Sequence, residues 1–155
     1  MTNLPEEANT YRVALLIGVA DVDTVVAWAD RQIQAEAIPA NPLIDVSLGR
    51  SSPLSVLVEH LAALTGNTKD VRSIKKAFAM VADRVHNNSI EVETAVTNCY
   101  RFLRSEDLLY HDDFLIFHNL ENDLSLIRDG VVDRDRLPQL QANLLEAIES
   151  MQEAS

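Results

Sequence analysis

Apolar residues recur along this chain at intervals of three and four rather than two, and each recurring stretch is bounded by residues that start or stop helices. The clearest stretch is Asp21 to Ile33, DVDTVVAWADRQI. Val22, Val25, Val26, Ala29 and Ile33 fall on one face of a helix, and Trp28, the single tryptophan, flanks that stripe. Asp21 stands at the N-cap, where its carboxylate can accept from first-turn N–H groups, and Gly18 suits the end of a preceding helix. That first helix opens at Pro5, after Thr2 and Asn3 as candidate caps and with Glu6 and Glu7 in its first turn. It carries Tyr11, Leu15 and Leu16 on its apolar face and runs to Gly18.

Beyond Glu36 the segment EAIPANP has to turn, and Pro42 can start a short helix that Gly49 closes. Ser51 or Ser52 before Pro53 starts the next, with Leu54, Val56, Leu57, Leu61 and Leu64 as its stripe and Gly66 and Asn67 as its end. Thr68 is the expected cap of a helix over residues 69–86 that buries Val71, Ile74, Ala77, Phe78, Val81 and Val85. Lys69, Arg72, Lys75 and Lys76 are expected to face outward, and Asn87 and Asn88 to break the helix. Ser89 precedes a helix from Ile90 to about Leu103, with Val92, Ala95, Cys99, Tyr100 and Leu103 inward. Leu108, Leu109 and Tyr110 extend a short helix. Asp112 or Asp113 then caps one in which Phe114, Phe117, Leu120, Leu124 and Ile127 share a face as far as Gly130. A last helix, from Arg136 or Pro138 to Met151, buries Leu137, Leu140, Leu144, Leu145 and Ile148.

The expected fold is therefore all-α: seven or eight short helices packed as successive helical hairpins in a single domain over residues 1–155. No low-complexity linker or fixed-period repeat interrupts it. Composition agrees, since 47% of residues are hydrophobic but only 5% aromatic, which points to a core of Leu, Val, Ile and Ala. The lone Cys99 excludes an internal disulfide framework and fits a reducing, cytoplasmic setting with the thiol as a small buried hydrophobe. Val13–Ala20 does not read as a secretory signal, because Glu6 and Glu7 precede it and Asp21 and Asp23 follow. No apolar run approaches the ~20 residues that span a bilayer.

Charge sharpens this reading. The formal net charge is −11, and residues 105–155 alone carry twelve acids against three bases. Such a surface repels nucleic acid and anionic membranes and attracts basic proteins. The basic stretch Lys69, Arg72, Lys75 and Lys76 has no interleaved aromatics, so it reads as an ion-pairing strip and not as a nucleic-acid patch.

Candidate chemistry is confined to YHDDFLIFHNLEND, which holds His111, Asp112, Asp113, His118, Glu121 and Asp123. His118 and Glu121 stand at i and i+3 on one helix, but no second His/Glu pair supplies the further ligands a helical metal site needs. Cys99 lies mid-helix on an apolar stripe, and neither a G-x-S-x-G elbow nor a phosphate-binding loop is present. No metal, cofactor or enzymatic activity is expected.

Two stretches carry a resemblance: GVADVDTVVAWADRQI with PLIDVSLG, and IFHNLENDLSLIRDGVVDRDRLPQLQANLLEAI. Together they resemble a family of small uncharacterised bacterial all-helical proteins, built as a glycine, a capped helix with Trp-Ala-Asp, a Leu-Ser-Leu segment, and an acidic stretch with Leu and Gly before a closing helix. Asp21 replaces the usual Ser at the cap, and Arg128 and Asp129 replace Ala and Glu before Gly130. The resemblance implies an immunity protein of a contact-dependent or polymorphic toxin system. Such a protein would neutralise a cognate toxin, such as a cationic nuclease, by stoichiometric occlusion through an acidic surface. The residues expected to bind that partner are Asp112, Asp113, Glu121, Asp123, Asp133 and Asp135. A helical adaptor or regulatory module with another host protein as partner is the competing reading.

Overall fold

The computed structural model describes residues 3–153. Among them the chain forms eight α-helices: α1 Leu4–Leu16, α2 Val22–Ala35, α3 Asn41–Ser47, α4 Leu54–Leu64, α5 Val71–His86, α6 Val92–Ser105, α7 Ile116–Arg128 and α8 Leu137–Glu153. Three single 3-10 turns, Gly49–Ser51, Asp112–Phe114 and Arg134–Arg136, complete it, and no strand occurs among the described residues. The fold is all-α, as the periodicity requires. The chain divides into two compact units, with the boundary inside α5 between Ala77 and Phe78.

Helix ends follow one recurring device. α1, α5, α6 and α7 each finish in a Schellman turn, in which a residue just past the helix turns left-handed and the next N–H reaches back five residues. The left-handed positions are Gly18 (φ 79°), Asn88 (63°), Asp107 (58°) and Gly130 (76°), and the reaching bonds are Val19 to Ala14, Ser89 to Arg84, Leu108 to Leu103 and Val131 to Leu126, at 2.8–3.0 Å. The motif at Asp107 overturns the expected helix over Leu108–Tyr110: the reversal sends those residues into a turn, with Leu108 and Leu109 buried and Tyr110 exposed. Ser89 likewise belongs to the end of α5 and does not cap α6, whose N-cap is Glu91.

In the first unit, α1 packs on α4, α2 on α3, and α3 on α4. Asn3 caps α1, its Oδ1 accepting the Glu6 N–H at 3.2 Å, and Asp21 caps α2 by accepting from Thr24 at 2.8 Å. Thr2 lies outside the described residues. Trp28 is buried in the α2 face with Val25, Val26 and Ala29, its ring centroid 5.1 Å from that of Tyr11, so it belongs to the stripe it was expected to flank. Leu16, expected inward, is exposed at the last turn of α1. Gly49 is needed for room: a Cβ there would stand 3.0 Å from Leu57 Cδ1.

A buried polar network ties α1 to the start of α5. Asn9 Nδ2 donates to Ser73 Oγ at 2.6 Å and to the Thr68 carbonyl at 3.2 Å, and Arg12 Nε donates to Asn9 Oδ1 at 2.9 Å. Thr68 therefore contributes its carbonyl and is not the helix cap, because Asp70 accepts the Ser73 N–H and α5 starts at Val71. Lys75, expected outward, is buried, since residues 73, 74, 75, 77 and 78 are all covered. Lys76 is exposed, and its ammonium lies 2.5 Å from Glu6 Oε1. That contact holds the Glu6 carboxyl below its usual value against the opposing effect of burial, and Arg72 adds to it.

In the second unit α6 packs on α7, α7 on α8, and α6 on α8. All four phenylalanines gather here: the Phe78 ring stands 5.2 Å from Phe117, 5.6 Å from Phe114 and 6.4 Å from Phe102, each edge-on. The core of this unit is thus more aromatic than the 5% composition suggests. Phe114, Phe117, Leu120, Leu124 and Ile127 are buried along the face the spacing assigns them. Cys99 is fully buried, and burial pushes its thiol pKa up, so it is a packing residue.

Candidate functional site

The acidic excess concentrates in the second unit. Residues 78–155 hold fifteen acids and six bases, whereas residues 1–77 hold nine and seven. A basic body approaching the second unit is attracted by a formal net charge of −9.

Asp112 and Asp113 open the 3-10 turn that leads into α7. The cap expected of them is supplied by His111, whose Nδ1 accepts the Asp113 N–H at 3.1 Å and lies 3.9 Å from the Asp113 carboxylate. An imidazole one residue upstream reaches that N–H, which leaves the Asp112 side chain exposed to solvent. Next to these acids stand three exposed apolar side chains: Tyr110, 80% exposed, with Leu115 and Ile116. The Tyr110 ring lies against that of His118 at 5.1 Å, and Tyr100 flanks His118 at 6.2 Å.

Glu121 is engaged differently. Its Oε1 lies 3.4 Å from Arg128 Nη1, and Arg128 Nη2 also donates to Thr97 Oγ1, so the carboxylate takes part in a bridge from α7 to α6. His118 Nε2 and Glu121 Oε2 are both buried, and neither meets a hydrogen-bond partner among the described residues. No group of three or more His, Cys, Asp or Glu placed to hold a metal ion occurs among those residues.

The remaining three acids gather toward the far end of α7. Asp133 caps the Arg134–Arg136 turn by accepting the Asp135 N–H at 3.1 Å, and Arg134 pairs with Glu93 at 2.9 Å. Asp123 lines a cleft of about 380 Å³ together with Arg136, Gln139 and Asn143. The six acids therefore fall into two places on the unit, Asp112 and Asp113 before α7 and Asp123, Asp133 and Asp135 beside its second half, with Glu121 committed between them.

Sequence reasoning missed two contributors. Tyr110 read as part of a short helix with Leu108 and Leu109, and Arg136 as a helix start. The signal for Tyr110 was its place directly before three polar residues, His111, Asp112 and Asp113, where an apolar ring has no helix face to join.

Comparison with models of known protein families, with curated proteins and with solved structures finds no match for this chain. No helix among the described residues is long and apolar enough to cross a membrane.

Proposed function

We propose that this chain is a stoichiometric binding protein that captures a basic protein partner through its second unit, and that the partner is a toxin domain neutralised by occlusion. The observation that supports this reading is the patch at the start of α7, where Tyr110, Leu115 and Ile116 are exposed beside Asp112 and Asp113. Protein interfaces concentrate binding energy in a few aromatic and apolar anchors surrounded by polar groups, and tyrosine is among the most enriched. The charge of the unit would speed encounter with a cationic partner, and the anchors would slow release. The Tyr110 ring rests against His118 at 5.1 Å, a contact that would lower the ordering cost of binding.

The test is co-expression with the product of the adjacent gene, scoring growth and recovery of a one-to-one complex at low and high salt. Rescue of growth with a salt-sensitive complex is expected. Tyr110→Ala should weaken that complex by about 2 kcal/mol, roughly thirtyfold. Asp112→Lys with Asp113→Lys should slow association more than it speeds dissociation. A complex that forms equally well with all three substitutions would refute the assignment of this patch. Absence of both rescue and complex would refute the pairing.

A further inference from the structure

The cleft between α7 and α8 presents two opposite charges that do not meet. Asp123 on α7 and Arg136 at the end of the Arg134–Arg136 turn, just before α8, line the same 380 Å³ space, and no ion pair joins either to any described residue. Both side chains are exposed. In the same lining Gln139 Nε2 donates to Asn143 Oδ1 at 2.9 Å, which uses one donor and one acceptor and leaves Gln139 Oε1 to accept and Asn143 Nδ2 to donate. That spare pair has the polarity of a peptide group's own partners: Oε1 can take an N–H and Nδ2 can serve a C=O. The rest of the lining is apolar: the buried Ile127 and Leu140 and the half-buried Leu126 and Val132.

A cation site, an amide-matching pair, an anion site and an apolar lining in one cleft describe one ligand class. We infer that this cleft binds a short zwitterionic peptide with apolar side chains. The terminal ammonium would pair with Asp123 and the terminal carboxylate with Arg136, with the peptide group on Gln139 and Asn143 and a side chain against the half-buried Leu126 and Val132. The volume lies within the range of about 300–1,000 Å³ that small-ligand sites occupy. The inference draws on none of Tyr110, Leu115 or Ile116, so it stands or falls apart from the partner proposed above.

The probe is the dipeptide Leu-Leu, titrated into the full chain and followed by backbone amide shifts. Saturable one-to-one binding with a Kd of roughly 0.1–1 mM is expected, which is the ligand efficiency of a molecule this size. The shifts should concentrate at Leu126, Val132, Gln139 and Asn143. Acetylating the amino end should weaken binding about tenfold in the natural chain and hardly at all in Asp123→Asn. Amidating the carboxyl end should show the same relation to Arg136→Gln. Both substitutions are at exposed positions, and helical circular dichroism checks that the fold is intact. Gly-Gly should bind far more weakly, because nothing on it covers the apolar lining. No saturation at about 10 mM, equal affinity for Gly-Gly, or equal affinity for Leu-Leu capped at both ends would each overturn the inference, the last by pointing to an internal segment of a longer chain.

Discussion

Replacing Phe78 by alanine should loosen the second unit enough to be counted at a single sulfur atom. Phe78 is fully buried and meets three other phenylalanine rings edge-on, at 5.2, 5.6 and 6.4 Å. Truncating a buried Phe to Ala costs about 3–5 kcal/mol through lost transfer energy and the cavity left behind. The edge-on ring pairs, worth about 0.5–1.5 kcal/mol each, are part of what that truncation removes, and the middle of the range is about 4 kcal/mol. At 1.4 kcal/mol per factor of ten, the population of opened unit rises about 10³-fold. Cys99 lies fully buried in the same unit and is the chain's only thiol, and its raised pKa makes it unreactive until the unit opens. With a thiol reagent in the regime where reclosing outpaces reaction, the labelling rate follows that population directly. The Phe78→Ala rate should therefore exceed the natural rate by about 10³, or reach that of a free thiol if the unit unfolds outright. Phe78→Leu, which keeps part of the volume and loses the ring contacts, should fall between. A Phe78→Ala rate within about threefold of the natural one would refute the account of this core.

Asn9→Ala removes two donated bonds and leaves the Arg12 Nε–H buried without Asn9 Oδ1. It should cost about 2–3 kcal/mol, read as a lower denaturant midpoint in Trp28 fluorescence. Asp107→Gly should stabilise by about 0.5–1 kcal/mol, because φ there is +58° and glycine adopts it without strain. Gly130→Ala, with open space around the new Cβ but φ +76°, should cost about 1–2 kcal/mol; chemical denaturation followed by circular dichroism measures both. The Glu6 carboxyl is held below its ordinary value of 4.5 by Lys76. Its contribution is thus fully present above the unfolded pKa and is lost as pH falls through the lower, folded one. Because Lys76 is more than half exposed, the pair is worth only about 0.5 kcal/mol; Glu6→Gln should lower stability by that amount at pH 6, with the difference shrinking in acid.

Glycine and asparagine announce left-handed helix ends, which is why Gly18, Asn88 and Gly130 could be placed from the chain alone. Asp107 makes the same turn but reads as one more acid in an acidic stretch, so the reversal and the exposure of Tyr110 that follows from it were hidden. The α7 stripe was legible because Phe117, Leu120, Leu124 and Ile127 at helical spacing have a single way to be buried together; Phe114, expected on the same helix, lies in the 3-10 turn before it. The Asn9, Arg12 and Ser73 network was not, since polar residues on a helix read as outward and their partners lie 56–64 residues away. The division at Ala77 falls inside an unbroken periodic stretch, where composition gives no sign of it. Of the six acids expected to act together, their common sign was visible in the sequence. Which of them cap turns, bridge helices or face solvent depended on the folded geometry, as where Arg128 reaches both Glu121 and Thr97, 31 residues earlier in the chain.

The four Schellman turns also have a stereochemical consequence. Gly18, Asn88, Asp107 and Gly130 occupy backbone angles that are the mirror image of the helical region, the conformation native to D-amino acids. A chemically assembled chain carrying D-alanine at Gly18 and Gly130, and the D-forms of Asn88 and Asp107, would keep its course at each reversal and, at the two glycines, lose freedom in the unfolded chain. Elsewhere among the described residues, no backbone has a positive φ, so a D-residue would oppose the fold. Asn88 and Asp107 could thus be inverted one at a time without altering any side-chain chemistry, whereas the achiral Gly18 and Gly130 gain a handedness only by taking on a methyl group.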